Sequence, residues 1–146
     1  MKKYLGLLIS LVLLGTVVQE GKSQCKVFTK KRCMKELDEF TNNGQYNGAV
    51  MFEGEEATLM QTFYSDKNYR MLVCAHPSIE DAMYFELLDY RNNLIYSSEG
   101  TGNAEFDFNV ESTQQLKVRI VVTDGQPDSQ IKKNGCISVV VGFQEK

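Results

Sequence analysis

Hydrophobic and polar positions alternate one by one in two stretches between residues 105 and 120. In 105–111 every second residue is apolar, and the same spacing returns in 116–120. Alternation with a period of two predicts strands that bury one face and leave the other in water. Six other apolar runs are bounded by turn residues and are also predicted to be strands: 46–52, 57–64, 69–75, 83–90, 94–97 and 136–143.

The turns between these runs are short, which predicts antiparallel pairing, because parallel strands need long crossover connections. We therefore predict a mainly β protein, an antiparallel and jelly-roll-like β-sandwich of about eight strands. The run 137–143 is almost continuously apolar, which is typical of a strand that is covered on both faces. We expect an N-terminal helix to cover its outer face.

One short helix is predicted at the start of the domain, over about residues 29–41. Met34, Leu37 and Phe40 recur at three-residue spacing, which places them on one face of an amphipathic helix. Asn43 and Gly44 follow, and both residue types accept the left-handed backbone conformation that ends helices. The helix is therefore expected to stop before the first strand.

Residues 1–23 have the pattern of a secretory signal peptide. Lys2 and Lys3 precede an apolar run over 5–18, and Gly21 and Ser23 supply the small residues of a cleavage site. Cleavage after Ser23 leaves a single domain, 24–146, without a transmembrane segment. We expect this mature protein to be exported, to the periplasm or out of the cell.

A lipid anchor on Cys25 is the alternative to cleavage. Lys22 and Gln24 stand where a lipobox has Leu and a small residue, so we favour a soluble product. The leader holds three lysines and one glutamate, which leaves the mature chain with a net charge of −5. That charge argues against nucleic acid as a partner. The basic residues within 26–35 are interpreted as a solvated helix face, with contact to an acidic surface as the alternative.

The four cysteines, an even number in an exported chain, predict two disulfides. They are Cys25, Cys33, Cys74 and Cys136, and three pairings are open. In a continuous helix the first two would lie about 12 Å apart, beyond the limit of about 7 Å for a bridge. We therefore favour bonds from the N-terminal segment to the two later cysteines, which would staple it onto the sandwich.

Residues that carry catalysis or bind metals are sparse. His76 is the only histidine, so a zinc site with two imidazoles cannot form, and no nucleophile motif accompanies it. We interpret His76 as an ordinary loop residue and predict neither a catalytic residue nor a cofactor. Asp124 and Asp128 share a predicted loop and are the candidates for calcium ligands.

Tyrosines provide the best basis for a binding function. Exposed rings on a sheet stack against sugars or pack against proteins, and five tyrosines lie in predicted strands or at their ends: Tyr64, Tyr69, Tyr84, Tyr90 and Tyr96. We predict a non-catalytic binding module for an envelope polymer, glycan or protein. One alternative is a secreted hydrolase whose loops gather His76, a carboxylate and a hydroxyl; the other is a purely structural envelope protein.

Two family resemblances accompany these patterns. Residues 55–122 resemble the bacterial pre-peptidase C-terminal type of β-sandwich domain, with Asn93 where its hairpin usually has Gly. The mature chain also resembles small exported proteins of Bacteroidota, through Asn43-Gly44-Gln45 and the closing strand 135–143. The first resemblance implies a β-sandwich of a kind usually appended to secreted enzymes. The second implies export and names no activity.

Overall fold

The computed structural model describes residues 20–146, with side chains from Gln24 onward. The predicted signal peptide therefore lies outside the described residues, except that the backbone of 20–23 forms the first turn of helix α1, Glu20–Phe28. Among the described helices, none has the length and apolar character needed to cross a membrane.

Within the described residues the chain forms nine strands, β1 to β9: Thr41–Asn42, Asn47–Phe52, Glu56–Phe63, Lys67–Ala75, Met83–Leu88, Leu94–Ser97, Glu105–Asn109, Gln114–Val122 and Asn134–Glu145. Every strand pair is antiparallel. The predicted class of mainly antiparallel β-sandwich is confirmed. The eight predicted strands correspond to β2–β9, and β1 is the additional one.

The strands divide into two sheets that pack face to face. Sheet A has the order β1–β9–β4–β7, with β2 also pairing with β9, and sheet B has the order β3–β8–β5–β6. From β2 to β9 the chain changes sheet at every connection except the β5–β6 hairpin. This alternation is the connectivity of a jelly roll, as the strand pattern predicted.

The hydrophobic core lies between the two sheets. Strand β8 alternates as predicted, and its inward side chains are buried against inward residues of β4, β5 and β9. At one end of the core three aromatic rings meet. Phe63 lies edge-on to Tyr69 and to Phe108, with ring centroids 4.9 and 5.0 Å apart. Such edge-to-face contacts add stability beyond the area that they bury.

The helical segment departs from the helix predicted over 29–41. α1 ends at Phe28, a π-helical turn occupies Thr29–Cys33, and a 3-10 turn occupies Met34–Leu37. Asp38 then takes a positive φ of 50°, and Thr41–Asn42 pairs with β9. The predicted helix was therefore wrong in its bounds. The three-residue apolar spacing also suits a 3-10 turn, and pairing with β9 ends the helical segment before residue 41.

This segment covers the outer face of sheet A, as the apolar character of the last strand predicted. Leu37 packs against Leu72 of β4, and residues 137–142 of β9 are buried. Gly142 permits the close approach, since a Cβ atom there would lie 2.7 Å from the Cβ of Phe40. The final strand is therefore central and covered on both sides.

Two disulfides attach the helical segment to sheet A. Cys25 bonds Cys136 in β9 with the Cα atoms 5.3 Å apart, and Cys33 bonds Cys74 in β4 with the Cα atoms 5.8 Å apart. This is the stapled arrangement favoured from the sequence.

Candidate functional site

The five predicted binding tyrosines do not share one surface. Tyr69 is 4% exposed in the core, and Tyr96 stacks on an aromatic ring of β7 with centroids 3.9 Å apart. Tyr84 is half-buried in β5. Tyr64 and Tyr90 are exposed in the turns that follow β3 and β5. Burial leaves Tyr69 no open ring face for a ligand, Tyr84 and Tyr96 are half-buried, and the two turn tyrosines keep exposed rings.

His76 belongs to a local turn at the end of β4. Its Nδ1 lies 2.8 Å from Oγ of Ser78, which donates to the carbonyl oxygen of Asn134 at 2.7 Å. In the part of the chain that the structure describes, the imidazole hydrogen-bonds Ser78 alone. The predicted loop role fits this geometry, whereas the hydrolase alternative needs a carboxylate at the imidazole.

The oxygen atoms of the loop considered for calcium are hydrogen-bonded to a lysine. Lys132 Nζ donates to Asp124 Oδ2 at 2.6 Å and to the carbonyl oxygens of Gln126 and Pro127 at 2.8 and 3.1 Å. The hydrogen bond from Lys132 is the main reason that the pKa of Asp124 lies below its ordinary value. Asp128 is exposed and takes no part. No group of three metal-ligating side chains exists within residues 24–146, so the calcium hypothesis is not supported.

A cleft opens where the edges of the two sheets separate. It lies between β3 of sheet B and the adjoining parts of β4, β9 and the β1–β2 connection, and its volume is about 490 Å³. Sites for small ligands have volumes of about 300–1,000 Å³. We call it the Tyr64 cleft, and its lining residues are Asn43, Gln45, Met60, Gln61, Thr62, Tyr64, Lys67, Tyr69, Val141 and Phe143.

The turn that carries Tyr64 is held in place by Tyr69. The buried Tyr69 hydroxyl accepts a hydrogen bond from the Tyr64 N–H at 2.7 Å and donates one to the Tyr64 carbonyl oxygen at 3.1 Å. Asp66 takes a φ of 64°, which reverses the chain between the sheets within three residues. The Tyr64 side chain remains 57% exposed. A fixed backbone thus presents an aromatic ring at the rim of the cleft.

Gln61 is the residue that sequence reasoning missed. The inward positions of β3 read Ala57, Leu59, Gln61 and Phe63, so a polar residue interrupts an apolar face. Gln61 is only 8% exposed. The one hydrogen bond that the described residues give its side chain runs from Nε2 to the Thr62 carbonyl oxygen at 3.3 Å. A largely buried glutamine on an otherwise apolar strand face is unusual, and the broken alternation was the available signal.

Charge is scarce in the Tyr64 cleft. Among residues 24–146, no carboxylate lines it, and the one charged group in its lining is the ammonium of Lys67. That ammonium pairs with Glu145 and lies 4.5 Å from the centroid of the Phe143 ring. Its charge is therefore met by a carboxylate from the last strand and by an aromatic face.

Three carboxamides are among the polar groups of the cleft. Asn43 is fixed by its backbone N–H, which donates to the Val141 carbonyl oxygen at 3.1 Å. The Asn43 side-chain oxygen accepts a hydrogen bond from the Gln45 N–H at 3.0 Å. With Gln61, these residues place three carboxamide side chains around one cavity. Each group carries both donors and an acceptor.

A second cavity, with a volume of about 560 Å³, lies at the other end of the sandwich. Its lining includes Glu80, Asp81, Glu99 and Tyr84, and we call it the acidic cavity. Burial, and then the negative charge of Glu99, raise the pKa of Tyr84 above its ordinary value. Glu80 pairs with Arg32 at 3.2 Å. The acidic cavity presents negative charge and is suited to a cationic group.

The outer face of sheet B carries ion pairs at its centre. Arg119 bridges Glu56 at 2.7 Å and Glu86 at 3.0 Å across three neighbouring strands. Exposed pairs of this kind contribute little to stability. The exposed tyrosine rings that line cavities are those of Tyr64, at 57%, and Tyr46, at 40%.

No protein-family model and no curated protein matches this sequence. Among solved structures, the chain is similar in fold to PliG of Aeromonas hydrophila, a periplasmic lysozyme inhibitor of g-type lysozyme. The two share 5% sequence identity and a TM-score of 0.51 over 73% of this chain and 90% of that one. At this identity the likeness concerns the fold alone.

A second structure is the CBM36-1 domain of a multidomain xylanase from the hindgut metagenome of Trinervitermes trinervoides. It has 14% identity and a TM-score of 0.32 over 75% of this chain and 93% of that one. An overlap at this TM-score carries no argument about the site.

Proposed function

We propose that this protein is an exported, non-catalytic binding protein of the bacterial envelope and that its ligand binds in the Tyr64 cleft. Two disulfides support an oxidising compartment. The disulfide on Cys25 supports a cleaved leader over a lipid anchor.

The observation that carries the proposal is the composition of the Tyr64 cleft. It combines an exposed aromatic ring on a fixed turn with a buried carboxamide that interrupts the apolar face of β3. Binding sites need a few convergent polar groups within a largely apolar wall. The groups that would serve catalysis are separated, since His76 sits in its own turn and Glu99 lies in the acidic cavity.

Retention of envelope material tests the proposal. Envelopes of the native host would be separated into polysaccharide, lipid and protein pools and passed over the immobilised protein. We expect one pool to be retained, and Tyr64→Ala to abolish that retention. Phe52→Ala is the matched control, because Phe52 is also exposed, at 43%, and lies at the other end of β9, opposite Asn134. Retention of nothing, or retention unaffected by Tyr64→Ala, would contradict the proposal.

A protein ligand is the second candidate. The fold likeness to PliG and the acidic cavity favour it, because Asp81 and Glu99 are placed to receive a cationic loop of a partner. The test is the rate at which a g-type lysozyme clears cell walls, with and without this protein in excess. Inhibition that Asp81→Asn with Glu99→Gln weakens at least tenfold supports this candidate. An unchanged clearing rate eliminates it for that enzyme.

A further inference from the structure

We infer that the Tyr64 cleft binds an uncharged sugar ring of an envelope saccharide. This assignment rests on the proposed function and specifies its ligand class. It depends on three independent features of the cleft: the type of its polar groups, the sign of its charge and the position of its exposed ring.

The polar groups of the cleft match hydroxyl groups. Asn43, Gln45 and Gln61 each carry a carboxamide, which donates and accepts hydrogen bonds in one plane. A sugar presents adjacent hydroxyls that also donate and accept. Backbone groups hold Asn43 through its N–H to Val141 at 3.1 Å, so part of the arrangement exists before a ligand arrives.

Gln61 is placed for a ligand rather than for folding. Its neighbours on the same face, Leu59 and Phe63, are apolar and pack in the core, and its one hydrogen bond within the described residues is 3.3 Å long. Burial of a polar group without good partners costs stability. The carboxamide lines the cleft, so a ligand hydroxyl there can hydrogen-bond it, and a site that pairs such groups rejects ligands that lack them.

The charge of the cleft favours a neutral ligand. With no carboxylate among the described residues of the lining, a cationic ligand finds no charged partner in it. The Lys67 ammonium already pairs with Glu145, so an acidic sugar would have to compete with that carboxylate. An uncharged ring needs no carboxylate partner and does not compete with Glu145.

Tyr64 and Met60 provide the apolar surface. Tyr64 is 57% exposed and Met60 is 50% exposed, and both line the cleft. The C–H face of a pyranose ring packs on a tyrosine ring, while its edge hydroxyls turn to hydrogen-bonding groups. The turn of Tyr64 is tied to Tyr69 by two hydrogen bonds, so the backbone that carries the ring is held in place.

Titration calorimetry with two matched sets of oligosaccharides tests this assignment. One set is neutral: gluco-, manno-, xylo- and chito-oligosaccharides, and the neutral oligosaccharides released from the host envelope. The other set is uronic-acid oligomers of the same lengths. We expect binding in the neutral set, a loss of at least tenfold in affinity for Tyr64→Ala and for Gln61→Leu, and a change below threefold for Phe52→Ala.

Folding effects are separated by measuring the melting temperature of each variant, and Gln61→Leu is expected to melt no lower than the wild type. Preference for the acidic set, or unaltered affinity in Gln61→Leu, would overturn the sugar assignment. If no saccharide binds while an envelope protein or lipid pool is still retained in a Tyr64-dependent way, the sugar assignment is wrong and the proposed binding function stands. If no saccharide binds and no envelope pool is retained, both the sugar assignment and the proposed binding function are wrong.

Discussion

Replacement of Gln61 by leucine separates binding from folding in a single change. Gln61 is 8% exposed and lies between Leu59 and Phe63 on the inward face of β3. Leucine restores the apolar alternation of that strand. It also removes a carboxamide whose one hydrogen bond within the described residues is the 3.3 Å contact with the Thr62 carbonyl oxygen.

The expected magnitude follows from the two groups exchanged. Full burial of a leucine side chain contributes about 1.5–3 kcal/mol relative to exposure. A buried amide with poor hydrogen bonding costs about 1–3 kcal/mol in mutational data. One wall of the site is open to the cleft, and the Thr62 hydrogen bond is lost, so both effects are reduced. We expect Gln61→Leu to raise the free energy of unfolding by about 1 kcal/mol and the melting temperature by about 3–5 °C.

Thermal and urea unfolding followed by circular dichroism measure this change. Gln115→Leu is the matched control, since Gln115 is exposed on β8 opposite Thr62, and we expect it to shift stability by less than about 0.5 kcal/mol. A drop of several degrees in Gln61→Leu would refute the reasoning, because it would show that the carboxamide serves the fold itself.

Three further predictions follow from the described contacts. Tyr69→Phe removes both hydrogen bonds to Tyr64, and we expect the free energy of unfolding in urea to fall by about 1–3 kcal/mol. An unchanged midpoint would contradict a stabilising role of these hydrogen bonds. The double change Cys33→Ser with Cys74→Ser opens a loop of 41 residues and is expected to lower the free energy of unfolding in urea by up to about 4 kcal/mol. A loss below about 1 kcal/mol would contradict a stabilising role of this disulfide. The pKa of Asp124 is lowered by its lysine partner, so its contribution is present above about pH 4 and lost as pH falls through the lowered value. Asp124→Asn should therefore lower the melting temperature at pH 7 and have little effect near pH 2.5, and a pH-independent difference would contradict this.

The strands were predictable because their signal is local. In β8 the inward side chains alternate with polar ones, and burial follows that pattern residue by residue. The apolar run of β9 likewise indicated cover on both faces, and the segment ending at Leu37 supplies the outer cover. A period of two and a continuous apolar run therefore sufficed for the fold class.

The helical segment was not predictable in detail, because tertiary contacts decide it. The spacing of Met34 and Leu37 suits an α-helix and a 3-10 turn equally, and the chain takes the 3-10 turn just after the disulfide of Cys33. Pairing of Thr41 with Phe143 then ends the helical stretch. None of these contacts is visible in a local pattern.

The candidate site depends on residues that are distant in sequence. Tyr64 was singled out from its residue type, but its partner in the cleft, Asn43, comes from a separate connection. Asp124 was singled out from the sequence as a candidate calcium ligand, whereas its pairing with Lys132 was not predicted. Gln61 alone carried a local signal, since it interrupts the apolar face of β3.

Chemical-shift mapping of the labelled protein with a neutral oligosaccharide is the most direct test of the central claim. The account predicts that the side-chain amide resonances of Gln61, Asn43 and Gln45 shift together as the sugar is added. The backbone amide resonances around Glu99 in the acidic cavity are predicted not to shift. Shifts centred on the acidic cavity, or none at the Tyr64 cleft, would contradict it.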